Sequence, residues 1–207
     1  MDERTDRHTR LTREEQREQT RQRLKESAME LFAARGYEGT AVEELAERAG
    51  YSRGAFYSNF ANKQELMKAI IAEGFDSDIE NLRRMESIEG TEELSAAYQQ
   101  LAEAFYGNPE NLLWMLEFQL SAVRYPGLRD AYAAQHRKLR DGIRRLLVTH
   151  LRRQGHDDAE AYQEYADLFL VILPGLGLLR LIYGEEIDSA AFARAFRAIL
   201  RGMEKPE

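Results

Sequence analysis

Residues 50–66 read GYSRGAFYSNFANKQEL, with three aromatics, Phe56, Tyr57 and Phe60, inside five positions of an otherwise polar segment. On a helical wheel at about 100° per residue, Phe56 and Phe60 fall on one side, Tyr57 lies on the flank, and Gly54, Ala55, Ser58 and Asn59 spread over the other. A helix so divided packs by its phenylalanines and turns small and polar groups outward, where a rigid partner can come close. Gly54 costs that helix roughly 1 kcal/mol relative to alanine, and the close approach it allows is a reason to keep it.

Upstream, Thr40 and Glu43 have capping-box spacing and open a short helix with Val42, Leu45, Ala46 and Ala49 inward, stopping at Gly50. Ser52 caps the next helix. Two short helices joined by AGYS make a helix-turn-helix unit, whose second helix suits the major groove of duplex DNA. Downstream, Asn62 and Glu65 form a looser capping pair. Lys63 then stands at a helix start, where a cation opposes the macrodipole by about 0.3–1 kcal/mol and a phosphate would be welcomed by lysine and free N–H groups alike. By the same reasoning Thr40 and Ser52 are either plain caps or groups that orient a DNA backbone.

Residues 23–71, RLKESAMELFAARGYEGTAVEELAERAGYSRGAFYSNFANKQELMKAII, resemble the N-terminal DNA-binding domain of the tetracycline-repressor (TetR) family. The family's ELFAxxGYxxT, IAxxAGVSxGxxYxxF and KxxL patterns recur, with Leu45 in place of isoleucine and Tyr51 in place of valine. The resemblance covers about a quarter of the chain. It implies phosphate contacts from Thr40, Ser52, Tyr57 and Lys63, and groove contacts from Arg53, Gly54, Ala55, Ser58 and Asn59. Asn59 replaces a histidine or tyrosine frequent at that place. It also implies a palindromic operator in double-stranded DNA, a homodimer, and a C-terminal domain that takes a small-molecule effector. A repressor is the reading favoured; a DNA-binding helical protein that bends or organises DNA and senses no ligand is the alternative.

Charge agrees once its distribution is considered. The formal net charge is −7, but residues 1–72 hold 13 basic and 13 acidic side chains, so the acid excess lies wholly in residues 73–207. Arg4, Arg7, Arg10, Arg13, Arg17, Arg21 and Arg23 suggest a basic arm, with six acids interspersed. The chain has no cysteine, which excludes disulfides and thiolate chemistry and fits a reducing compartment. MDERTDRHTR has no apolar run of a secretory signal, so a cytoplasmic protein is expected. No HExxH, phosphate loop or metal-ligand spacing occurs, so neither an enzyme nor a metal or other cofactor is expected.

The remaining sequence is helical in pattern, and an all-α protein of nine helices is expected: a charged arm over 1–22, the helix-turn-helix domain over 23–72, and a ligand-binding and dimerisation domain over 73–207. Thr12 and Glu15 cap a first helix that ends at Gly36, and the fourth runs to about Met85 along Leu66, Ile70, Ile71, Phe75, Ile79 and Leu82. Leu94, Tyr98, Leu101 and Phe105 mark a fifth, and Pro109 and Pro126 sit at the starts of the sixth and seventh. LLWMLEFQLSAV is apolar on nearly every side, which places the sixth helix inside the bundle.

The last two helices are expected over about 158–183 and 189–203. LFLVILPGLGLL has only twelve uninterrupted apolar residues between Asp167 and Arg180, too few for a span of about 20, so a buried or interface helix is expected and no membrane. The resemblance puts the dimer contact on these two helices, with Leu176, Phe192, Phe196 and Leu200 as candidates. Glu117 is the sole charge within LLWMLEFQLSAV of the sixth helix, and His136 interrupts the stripe of the seventh. Either they meet water and a core partner, or they belong to a pocket walled by Trp114, Phe118 and Tyr132, with Glu117 as counter-charge to a cationic ligand.

Overall fold

The computed structural model describes residues 12–156, 165–188 and 190–203. Arg4, Arg7 and Arg10, the expected start of the eighth helix near residue 158, and Ser189 lie outside them. Among the described residues the chain forms nine α-helices and no strand: α1 (Arg13–Arg35), α2 (Val42–Arg48), α3 (Arg53–Asn59), α4 (Lys63–Met85), α5 (Thr91–Tyr106), α6 (Pro109–Arg124), α7 (Pro126–Arg153), α8 (Tyr165–Tyr183) and α9 (Ala190–Met203). A 3₁₀ turn, Gly184–Glu186, follows α8. The helices form two compact units, Met1–Met67 and Lys68–Glu207, with the division inside α4.

In the first unit, α1 opens on the capping box: the Glu15 N–H donates to Thr12 Oγ1 and the Thr12 N–H to Glu15 Oε2. Its inner residues Leu24, Ala28, Leu31 and Phe32 bury against Leu45 and Ala46 of α2 and Phe56 of α3. The buried Ser27 hydroxyl donates to the Leu45 carbonyl at 3.0 Å, which ties α1 to α2 by a satisfied polar contact. Between α2 and α3 the chain turns by a Schellman motif, in which the Tyr51 N–H reaches the Ala46 carbonyl and the Gly50 N–H that of Glu47. Gly50 takes φ +81° there, the left-handed conformation that a side chain disfavours.

The capping box expected at Thr40 does not form. Ala41 is the N-cap of α2, without a side-chain bond. Thr40 is buried and its hydroxyl donates instead to the Gly36 carbonyl at 2.8 Å, satisfying the end of α1 rather than the start of α2.

The second unit has one core drawn mainly from α4, α5, α7, α8 and α9, including Leu94, Leu147, Leu151, Phe169, Phe192, Phe196 and Leu200. Phe196 stacks on Tyr98 of α5 at 4.2 Å between ring centroids and meets Phe169 of α8 edge-on at 5.1 Å. The dimer candidates Phe192, Phe196 and Leu200 are therefore core residues, each at most 2% exposed, and Leu176 packs against the same core. The reason is the strong one-sidedness of α9, whose single apolar stripe is consumed by α5 and α8.

The apolar surface left uncovered lies on the other face of α8. Leu168, Val171, Leu178 and Ile182 recur there at heptad spacing, with Val171 72% and Ile182 64% exposed. By length and composition α8 could cross a bilayer, but its inner face packs on α7 and α9. The sixth helix is likewise not enclosed: Leu113, Leu120 and Val123 are exposed.

Truncating the centre of the core should reveal this arrangement. Phe196→Ala is expected to cost about 3–5 kcal/mol of stability by denaturant titration, whereas Val171→Ala on the outer face of α8 should cost the protomer less than about 0.5 kcal/mol.

Candidate nucleic-acid interface and ligand cavity

The helix α3 buries Phe56 and Phe60 and exposes Arg53, Gly54, Tyr57 and Ser58, as the wheel required. Ser52 caps it, accepting from the Ala55 N–H at 3.2 Å. A Cβ built on Gly54 would meet only Ser52 Oγ, at 3.7 Å, so nothing within the protein requires a glycine there. Half-buried Ala55 lends its carbonyl to two side chains, the Ser58 hydroxyl and the Asn59 amide, both at 2.8 Å. Asn59 is thereby folded back along its own helix instead of pointing outward.

Arg53 is exposed and not idle. Its guanidinium meets Glu43 of α2 at 2.8 Å and lies over the Tyr57 ring at 5.5 Å, so Glu43 serves as an anchor between the two short helices where a helix cap was expected. Arg21 was expected to belong to a basic arm; it donates to the Asn59 carbonyl at 2.7 Å and covers the Phe60 ring at 4.3 Å. It closes the C-terminal end of α3.

Lys63 has a structural duty that the macrodipole argument missed. Its ammonium donates to the carbonyls of Tyr37 at 2.5 Å and Thr40 at 2.8 Å and sits 4.3 Å from the centre of the Tyr37 ring. Burial lowers its pKa, with Glu38 opposing that shift. Two of its three N–H groups are so used, leaving one for a phosphate. Thr40 has none to give, since its single hydroxyl hydrogen is committed inside the fold.

In the second unit a cavity of about 400 Å³ opens between α4, α5, α6, α7 and α8, within the size range of small-molecule sites. Trp114, Phe118, Tyr132 and His136 all line it. Tyr132 and His136 stack at 5.6 Å, Phe75 meets Tyr132 edge-on at 5.4 Å, and Trp114 meets Phe118 at 4.7 Å and Phe105 at 5.8 Å. The Trp114 N–H is satisfied by Asn111 Oδ1 at 3.3 Å, and the Tyr132 hydroxyl accepts from Gln119 at 3.3 Å.

Glu117 is not on this wall. The inner face of α6 carries 111, 114, 115, 118 and 119, and Glu117 is turned roughly 130° away around the helix. The carboxylate that does line the cavity is Asp78 of α4, whose pKa burial raises to about 6. Ile71, Phe75, Asp78 and Leu82 follow one another at i, i+4, i+7 and i+11, so Asp78 occupies a stripe position. That spacing was the available signal, masked by the flanking acids Asp76 and Glu80. Burial lowers the pKa of His136, helped by Arg140 and opposed by Asp167. Burial raises the pKa of Tyr132, the Gln119 bond opposes that rise, and the Asp78 charge adds a smaller one.

A capped, phenylalanine-anchored recognition helix on a three-helix unit, joined to a helical unit with its own cavity, defines a helix-turn-helix transcriptional regulator. Residues 24–70 match the model of bacterial regulatory proteins of the tetR family, and residues 89–203 match a tetracycline-repressor-like C-terminal domain; the chain belongs to the TetR family, whose members are regulators and not enzymes. It is similar to an uncharacterized regulator of Bacillus subtilis, YvkB, at 27% identity over 82% of this chain and 87% of that one. It is also similar to the nicotine-responsive transcriptional repressor HdnoR of Paenarthrobacter nicotinovorans, at 26% identity over 76% of this chain and 81% of that one. Among solved structures, Salmonella enterica GusR superposes with a TM-score of 0.75 at 21% identity, over 93% of this chain and 97% of that one, a likeness of fold.

Two outcomes follow from the geometry. Gly54→Ala should leave the fold intact or stabilise it by up to about 1 kcal/mol, while weakening DNA binding tenfold or more if α3 approaches the bases closely; equal binding would remove the close approach. Asp78 has a folded pKa of about 6 against an ordinary 3.8, so the folded state holds the extra proton. Stability is therefore lost as pH rises from about 4 to about 6. Asp78→Asn should recover up to about 3 kcal/mol above pH 7 and almost nothing at pH 3.5, read from melts at the two pH values.

Proposed function

We propose that this chain is a cytoplasmic, homodimeric repressor that reads a palindromic operator through α3 and releases it when a small organic molecule enters the cavity of the second unit. The observation that carries the reading is the double membership of α4. Its first residue, Lys63, holds the loop before α2, and two turns past the division between the units the same helix supplies Phe75 and Asp78 to the cavity wall. A ligand that shifts α4 changes the setting of α3, and with it the distance between the recognition helices of two protomers. Duplex DNA fixes that distance at about 34 Å per turn, so only one setting fits both half-sites.

On α3, Arg53, Gly54, Ala55 and Ser58 face the groove, while Ser52, Tyr57 and the remaining N–H of Lys63 address phosphates. Dimerisation is assigned to the outer stripe of α8, Leu168, Val171, Leu178 and Ile182. An uncovered apolar stripe of heptad spacing is what a second copy would bury. A relative matched over 81% of its own length and described as a nicotine-responsive transcriptional repressor supports a small organic effector. The alternative, a DNA organiser that senses nothing, leaves the aromatic cavity without a purpose.

Selection from random duplex should return an inverted repeat bound with salt-sensitive affinity. Lys63→Ala should weaken all sequences alike and also destabilise the first unit; Arg53→Ala should mainly relax base preference. Val171→Glu should sediment as a folded monomer and bind the repeat at least tenfold more weakly. A dimer that survives Val171→Glu combined with Ile182→Glu would place the interface elsewhere.

A further inference from the structure

We infer that the cavity is a site for an organic cation, an amine or quaternary ammonium on an apolar or aromatic body, with the Asp78 carboxylate as counter-ion and Phe75, Trp114 and Tyr132 as the ring faces around it. This rests on reading the cavity as an effector site. Among the described residues that line it, Asp78 is the sole acid, and no lysine or arginine lines it. Asp78 takes no hydrogen bond or ion pair from the described residues, although it faces a wall that is otherwise largely apolar and aromatic. His136 supplies no compensating charge, because burial and Arg140 hold its imidazole toward the neutral form.

These features discriminate between ligand classes. An anion would face the carboxylate with no cation beside it. A neutral molecule would displace water from a carboxylate and offer nothing in return, which forces a proton onto it. A cation replaces the lost hydration directly, and aromatic faces attract it through their quadrupoles while excluding water. The Trp114 ring lies against α4 one turn before Asp78, where a Cβ built on Gly74 would meet it in ordinary contact at 3.9 Å. The recognition is thus built into α4, the helix that also begins in the DNA-binding unit.

Trp114 is the only tryptophan of the chain and stands in the cavity wall, so its fluorescence reports occupancy. The full chain would be titrated at pH 7.5 with phenyltrimethylammonium and with tert-butylbenzene, its neutral isostere. The cation should quench saturably and bind at least tenfold more tightly than the hydrocarbon in the wild-type protein, a comparison that needs no variant. Asp78→Asn, checked for folding by its melt, should lower the cation affinity tenfold or more and leave the hydrocarbon bound as tightly as before or more tightly, since the cost of covering the carboxylate is gone. Phe75→Leu should also cost the cation more than the hydrocarbon. Equal losses for both compounds in Asp78→Asn, tighter binding of the hydrocarbon than of the cation by the wild-type protein, or no quenching by either would overturn the inference. A cavity that binds the hydrocarbon alone and still releases the selected operator would leave the sensor reading standing without its charge preference. Cation binding that depends on Asp78 but leaves the operator bound would do the reverse.

Discussion

Everything the first unit can do depends on burying Phe56 and Phe60. A helix of seven residues is far too short to persist on its own, because nucleation fixes several residues before any hydrogen bond is gained. The two rings, with Leu24, Phe32 and Leu45 around them, supply what propensity cannot. Ser52 satisfies one end, and Arg21 closes the other through the Asn59 carbonyl. Once anchored by one face, α3 can spend its other face on residues that contribute little to folding, including a glycine. The division of labour between inner aromatics and outer small groups is what makes the surface available to a partner.

The second unit carries the opposite kind of constraint. Its core is well filled around Phe196, yet it keeps a cavity and sets a carboxyl in the wall at a position the helical repeat reserves for apolar groups. Both features lower stability: the void forfeits contacts, and Asp78 loses hydration. The proposed cationic effector would occupy the cavity and neutralise this carboxylate in one step. The fold tolerates the cavity because the aromatic rings hold one another in edge-to-face and stacked contacts around the void, so the walls keep their shape.

Much of this was legible in the sequence, for local reasons. Caps, glycine stops and prolines at helix starts act over three or four residues, so Thr12, Ser52, Asn62, Gly36, Gly50, Pro109 and Pro126 marked helix ends directly. The recognition helix was legible because its two faces differ so sharply. The misreadings arose where a polar group had two possible partners. Thr40 has a capping-box partner three residues on and a carbonyl four residues back, and only the packing of α1 against α2 selects the second. Glu43 and Arg53, ten residues apart, could not be paired from spacing at all.

The sequence by itself determined the all-helical class, the helix order, and the helix-turn-helix motif with its phenylalanine anchors, since each follows from periodicity and short-range chemistry. Tertiary structure alone decided which face of each apolar helix is core. It turned the stripe of α9 inward onto Tyr98 and Phe169, left Leu168, Val171 and Ile182 of α8 outside, and put Asp78 rather than Glu117 in the cavity. The physical reason is that a helix dictates which residues share a face, but the neighbours it packs against dictate which face meets solvent, a partner, or a void.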